Sequence, residues 1–83
     1  MAGIPALQLY GRTWCHLCDD MVAALEPLRA EFGFSLKVVD VDSDPRLEAR
    51  YGERVPVLVH GDRELCHYHL DAPAVTDYLR KIR

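Results

Sequence analysis

The residues with the clearest chemistry are Cys15 and Cys18, in the run Cys15-His16-Leu17-Cys18. At positions i and i+3 of a helix, two side chains share a face, so these sulfurs can close a short disulfide. The run follows a short strand pattern and opens a helical one. The first turn of a helix has backbone N–H groups with no partner inside it. Their dipoles favour the thiolate, the nucleophilic form of cysteine. Cys15 is therefore the expected attacking sulfur. Cys18, one turn deeper and more buried, is the expected resolving sulfur. His16, when protonated, adds positive charge beside Cys15, and Arg12 can do the same or pair with a substrate carboxylate. Asp19 and Asp20 act in the opposite sense on a nearby thiol. A Cys-x-x-Cys pair between a strand and a helix points to thiol–disulfide redox chemistry.

Four further residues could bind metal: His60, His67, His69 and Cys66. His67 and His69 alternate with Cys66 and Tyr68 along one extended segment, so the two sets point to opposite sides. There is no second Cys-x-x-Cys and no helical His-x-x-x-His, so no metal site is expected. Cys66 is expected to be a small apolar residue in an edge strand.

These groups must be held by a small scaffold. The chain has 83 residues, 49% of them hydrophobic, and a formal charge of −3. One domain is expected over residues 1–83. The mildly acidic balance disfavours nucleic acid and anionic membrane surfaces, which attract basic proteins. No apolar run approaches the roughly 20 residues of a membrane helix, and the N-terminus lacks the pattern of a signal peptide. A cytoplasmic location is expected. Three cysteines are too few, and odd in number, for a disulfide framework.

Leu7-Gln8-Leu9-Tyr10 reads as a strand ending at Gly11. Leu17, Met21, Leu25, Leu28 and Phe32 then form one helical stripe, with Thr13 as the expected N-cap, Gly33 as the stop and a kink or early end at Pro27. Residues 34–41 read as a strand, and Asp44-Pro45 starts a helix ending at Gly52. Val57-Leu58-Val59-His60 and residues 63–67 form a hairpin across Gly61-Asp62. Asp71 caps a last helix over residues 73–81. The order is β-α-β-α-β-β-α, an α/β fold with a four-stranded mixed sheet covered by three helices. Strands joined by helices are expected to be parallel, so the first three strands should run together, with the fourth antiparallel at an edge.

The segment Leu9-Tyr10-Gly11-Arg12-Thr13-Trp14-Cys15-His16-Leu17-Cys18 resembles the active-site segment of glutaredoxin-like proteins. Val55-Pro56-Val57-Leu58 is similar to the cis-proline segment of the thioredoxin superfamily. Asp40-Val41-Asp42, Asp44-Pro45 and Tyr51-Gly52 are similar to the linking region of such domains. The resemblance covers nearly the whole chain and is strongest to small bacterial-type glutaredoxin-like proteins with a Cys-His-Leu-Cys motif. It implies a thioredoxin-like fold, a redox-active center at Cys15 and Cys18, and a cis Pro56 facing the Cys15 sulfur. The backbone of Val55 would pair with a bound peptide or glutathione, Trp14 is a candidate substrate contact, and Tyr68 would either stack over a substrate or block the groove. Arg12 and Asp71 fall where the family binds glutathione. This chain departs from glutaredoxins in lacking Cys-Pro-Tyr-Cys and a Gly-Gly pair before the last helix. Its residues 64–69 are bulky instead.

The expected activity is that of a dithiol thiol–disulfide oxidoreductase serving cell redox homeostasis. It would act as a monomer on protein or glutathione mixed disulfides, with no tightly bound cofactor and with glutathione as a candidate reductant. The competing expectation is a binding module that kept the fold as a redox-responsive adaptor.

Overall fold

The computed structural model describes residues 4–82. Its elements are β1 (Ala6–Gly11), α1 (His16–Phe32), β2 (Ser35–Asp40), a 3-10 turn (Val41–Ser43), α2 (Pro45–Tyr51), β3 (Val57–His60), β4 (Arg63–His67) and α3 (Ala72–Lys81). Element order and strand bounds follow the sequence pattern closely. The sheet order is β2-β1-β3-β4. β1 and β2 are parallel, β3 is antiparallel to β1, and β4 is antiparallel to β3.

The direction of β3 corrects the expectation of three parallel strands, and helix length is the reason. A six-residue strand spans about 20 Å. α1 has 17 residues and is about 25 Å long, enough to return the chain to the start of the sheet. α2 has seven residues and is about 10 Å long, too short for that return. The chain therefore enters β3 at the end of the sheet where it left β2.

The helix ends show a second correction. The N-cap of α1 is Cys15, not Thr13: the Cys15 Sγ accepts the Cys18 backbone N–H at 3.2 Å. α1 also runs through Pro27 to Phe32 without ending early. Proline removes one helical hydrogen bond, and the carbonyl it leaves belongs to Ala23, which is exposed and open to water. Gly33 ends the helix with φ 74, a left-handed conformation that suits glycine. Asp44 and Asp71 cap α2 and α3 by accepting the N–H groups of Arg46 at 2.8 Å and Ala74 at 3.2 Å.

The sheet has a core on each face. Leu7, Leu9 and Leu58 meet Met21 and Leu25 of α1 and Val75 and Leu79 of α3. On the other face Val57 and Val59 meet Val41 and Tyr51. Tyr51 stacks on Tyr10 with ring centroids 4.2 Å apart. No helix among the described residues is long and apolar enough to cross a membrane.

Candidate active site

Strand register gathers the chemistry at one end of the sheet. Gly11 lies opposite Asp40 on β2, Tyr10 opposite Val57 on β3, and Val57 opposite His67 on β4. The ends of β1, β2 and β4 thus meet the start of β3. Arg12, Trp14 and Cys15 follow β1, Val55 and Pro56 precede β3, and Tyr68 follows β4.

Cys15 and Cys18 form a disulfide, with their Cα atoms 5.2 Å apart. Cys15 is half-buried and Cys18 is buried at 6% exposure. The more accessible sulfur is also the one that accepts a helix N-terminal N–H, an interaction that strengthens when the acceptor carries negative charge. Cys18 packs directly on the end of β1. A Cβ placed on Gly11 would lie 2.9 Å from the Cys18 Sγ and 3.4 Å from its Cβ. Glycine at position 11 makes room for the inner sulfur. In the sequence Gly11 marks only a strand end, because the close approach comes from tertiary packing. His16 opens α1 and is exposed, as are Asp19 and Asp20.

Trp14 is 99% exposed and has φ 62. A non-glycine residue in this region costs about 1 kcal/mol or more, so both the backbone and the ring sit unfavourably. Arg12 is held by neighbours: its guanidinium donates to the Asp42 and Glu48 carboxylates and to the Gly52 carbonyl at 2.9 Å. It ties the end of β1 to the 3-10 turn and α2, so any pairing with a substrate carboxylate must compete with these partners.

The Val55–Pro56 peptide is cis, and Pro56 is buried. The residues 64–69 fold back on this segment. Tyr68 donates its N–H to the Pro56 carbonyl at 2.9 Å and its hydroxyl to the Glu53 carbonyl at 3.0 Å. Tyr68 has φ 64, so the chain takes a glycine-favoured shape here with a tyrosine. Glu64 braces the same segment, pairing with Arg54 and accepting from His67 Nδ1 at 3.0 Å. Burial alone would raise the Glu64 carboxyl, but the hydrogen bonds from Arg54 and His67 outweigh it and hold the carboxyl below its ordinary range. This brace was not visible in the sequence, where the partners are separated by ten residues.

Asp71 serves as the N-cap of α3. Cys66, the remaining thiol, is half-buried. Burial pushes its pKa up, and a hydrogen bond from the Asp71 backbone acts against that. Among the described residues, no three His, Cys, Asp or Glu side chains gather into a metal-binding group. His60 instead meets the Tyr78 hydroxyl, and His67 meets Glu64.

A cleft of about 310 Å³ opens beside Cys18, between the start of α1 and the outer strand β2. Leu9, Val22 and Val38 form its apolar wall, Trp14 stands at its mouth, and Asp19 and Asp40 line it with carboxylates.

The glutaredoxin-like domain family (DUF836) matches residues 6–80. The chain belongs to this family. Its fold is similar to that of protein Ne2328 from Nitrosomonas europaea, with a TM-score of 0.85 and 40% identity over 94% of each chain. It is likewise similar to protein XcR50 from X. campestris, with a TM-score of 0.74 and 43% identity, covering 90% of this chain and 96% of that one. A thioredoxin from Fasciola hepatica, 17% identical, shares the fold with a TM-score of 0.61 over 98% of this chain and 83% of its own. The protein is thus a glutaredoxin-like member of the thioredoxin superfamily with a paired Cys15 and Cys18.

Proposed function

We propose that the protein is a dithiol thiol–disulfide oxidoreductase in which Cys15 attacks and Cys18 resolves. The observation that carries this reading is the Cys15–Cys18 pair itself: an accessible sulfur at a helix N-cap, receiving an N–H, joined to a buried sulfur one turn inside. In the reduced protein the Cys15 thiolate attacks one sulfur of a substrate disulfide. A Cys15–substrate disulfide forms, and the other substrate sulfur leaves as a thiolate that takes up a proton. The Cys18 thiolate then attacks the Cys15 sulfur and expels the second substrate thiolate. The substrate gains two electrons, and Cys15 and Cys18 lose two. An external dithiol, or two molecules of glutathione, returns the pair to the reduced state.

In this reading the protein works as a cytoplasmic monomer on protein or glutathione mixed disulfides, without a bound cofactor. The cis Pro56 segment and Tyr68 border the substrate, with Val55 offering backbone groups to it. His16 supports the Cys15 thiolate when protonated, and Asp71 holds the start of α3 near Cys66. Arg12 contributes by fixing the loop that carries Cys15.

Trapping tests the assignment. Cys18→Ser, incubated with a labelled peptide disulfide, should accumulate one peptide adduct, and digestion should place it on Cys15. Cys15→Ser should form none. An adduct located on Cys66, or equal labelling of both variants, contradicts the assignment.

A further inference from the structure

The cleft beside Cys18 differs in character from a site for a small acidic peptide. Its wall is apolar: Leu9 and Val38 are paired on neighbouring strands and face α1, where Val22 closes the side. Val38 is 59% exposed and Trp14 is 99% exposed. Two large apolar groups thus border one opening next to the reactive loop, an arrangement that marks contact surfaces. Its charge is acidic. Asp19 and Asp40 line the cleft, and Asp40 has one oxygen engaged by the Asp42 N–H at 2.9 Å. Among the described residues the one cation lining it is Arg12, already shared between Asp42 and Glu48. Asp19 and Asp40 thus line the cleft with Arg12, whose charge is already met by two other carboxylates. Lys37 adds nothing here, since it pairs with Gln8 on the opposite face of the sheet from Leu9 and Val38. His16, at the start of α1, lies outside the lining.

We propose that this cleft is a specificity pocket for a protein substrate that carries a lysine or arginine on an apolar segment flanking its disulfide. The aliphatic stem of such a side chain lies along Val38 and Val22 while its charge meets Asp19 and Asp40, as long basic side chains do at apolar surfaces with a polar rim. Trp14 covers the segment from outside. The same field opposes glutathione, whose two carboxylates outnumber its one ammonium. The inference rests on the redox reading, because it names the substrate class for Cys15.

The test separates the two claims by reading binding without chemistry. Trp14 is the only tryptophan in the chain, so its fluorescence reports occupancy of the cleft mouth. Two peptides are titrated that differ only in lysine or glutamate beside a serine replacing the reactive cysteine. Exposed ion pairs are each weak, but reversing the ligand charge against two carboxylates should favour the lysine peptide about tenfold. The preference should shrink in 0.5 M salt. It should also fall to about twofold in Asp19→Asn/Asp40→Asn, and further in Val38→Lys, a change at an exposed position. Equal affinities, no fluorescence response to either peptide, or an undiminished preference in both variants overturns the proposal. A lysine preference in a protein whose Cys18→Ser form traps no adduct would retain the pocket and remove the redox reading. Trapping without the preference would do the reverse.

Discussion

Replacing Gly11 with alanine tests how closely the inner sulfur is built into the sheet. The new Cβ would sit 2.9 Å from the Cys18 Sγ, closer than packed atoms accept, and the sulfur is tethered to Cys15. Overpacking of this kind costs about 1–3 kcal/mol. Gly11 is not in a left-handed conformation, so alanine is free of backbone strain there and restricts the unfolded chain, a gain of about 0.4–1 kcal/mol. That gain is common to both redox forms and cancels between them. In the reduced protein the Cys18 sulfur can rotate away from the new Cβ. In the oxidised protein it cannot. Gly11→Ala should therefore destabilise the oxidised form by about 1–3 kcal/mol more than the reduced form. Through the thermodynamic cycle, that difference shifts the dithiol couple by about 20–65 mV toward easier reduction. Urea unfolding of both redox forms gives the stability difference, and equilibration in glutathione buffers followed by Trp14 fluorescence gives the potential. Equal destabilisation of the two forms with an unchanged potential would refute the reasoning.

Three further outcomes follow from the same geometry. Arg12→Ala removes two ion pairs and a hydrogen bond to Gly52, and should lower stability by about 1–2 kcal/mol, with a smaller loss in high salt; urea midpoints at two ionic strengths check this. The folded-state Glu64 carboxyl is depressed from its ordinary 4.5, so its contribution is complete above that value and disappears as pH falls through the lower folded value. Glu64→Gln should accordingly be less stable than the wild type near pH 6 and converge with it in acid, as read from thermal midpoints against pH. Burial raises the Cys66 thiol, so alkylation of the reduced protein near neutral pH should modify Cys15 well before Cys66, with mass spectrometry of the digest giving the order.

Local sequence carried most of the scaffold. Gly33, the Asp44-Pro45 pair and Gly61-Asp62 mark their helix end, helix start and turn because each acts through its own backbone. The direction of β3 departs from the general rule for helix-linked strands because the seven-residue α2 is too short to span a six-residue strand. Thr13 does not cap α1, because the left-handed turn at Trp14 moves the helix start to Cys15, whose sulfur does the capping. The pairing of Cys15 with Cys18 was legible from type and spacing, and the cis peptide at Pro56 from resemblance. The fit of Gly11 against Cys18, the clasp around Arg12 and the Arg54–Glu64–His67 brace were not, since each joins residues that only folding brings together.

In the proposed function Cys15 and Cys18 carry electrons to a substrate disulfide. The most direct measurement is the steady-state reduction of a peptide disulfide by a catalytic amount of protein, with a small dithiol as electron donor. The wild type should raise the rate well above the uncatalysed background over many turnovers. Cys15→Ser should fall to background, while Cys18→Ser should stall with one peptide bound to Cys15. A wild-type rate no greater than background, or full turnover by Cys15→Ser, would contradict the account.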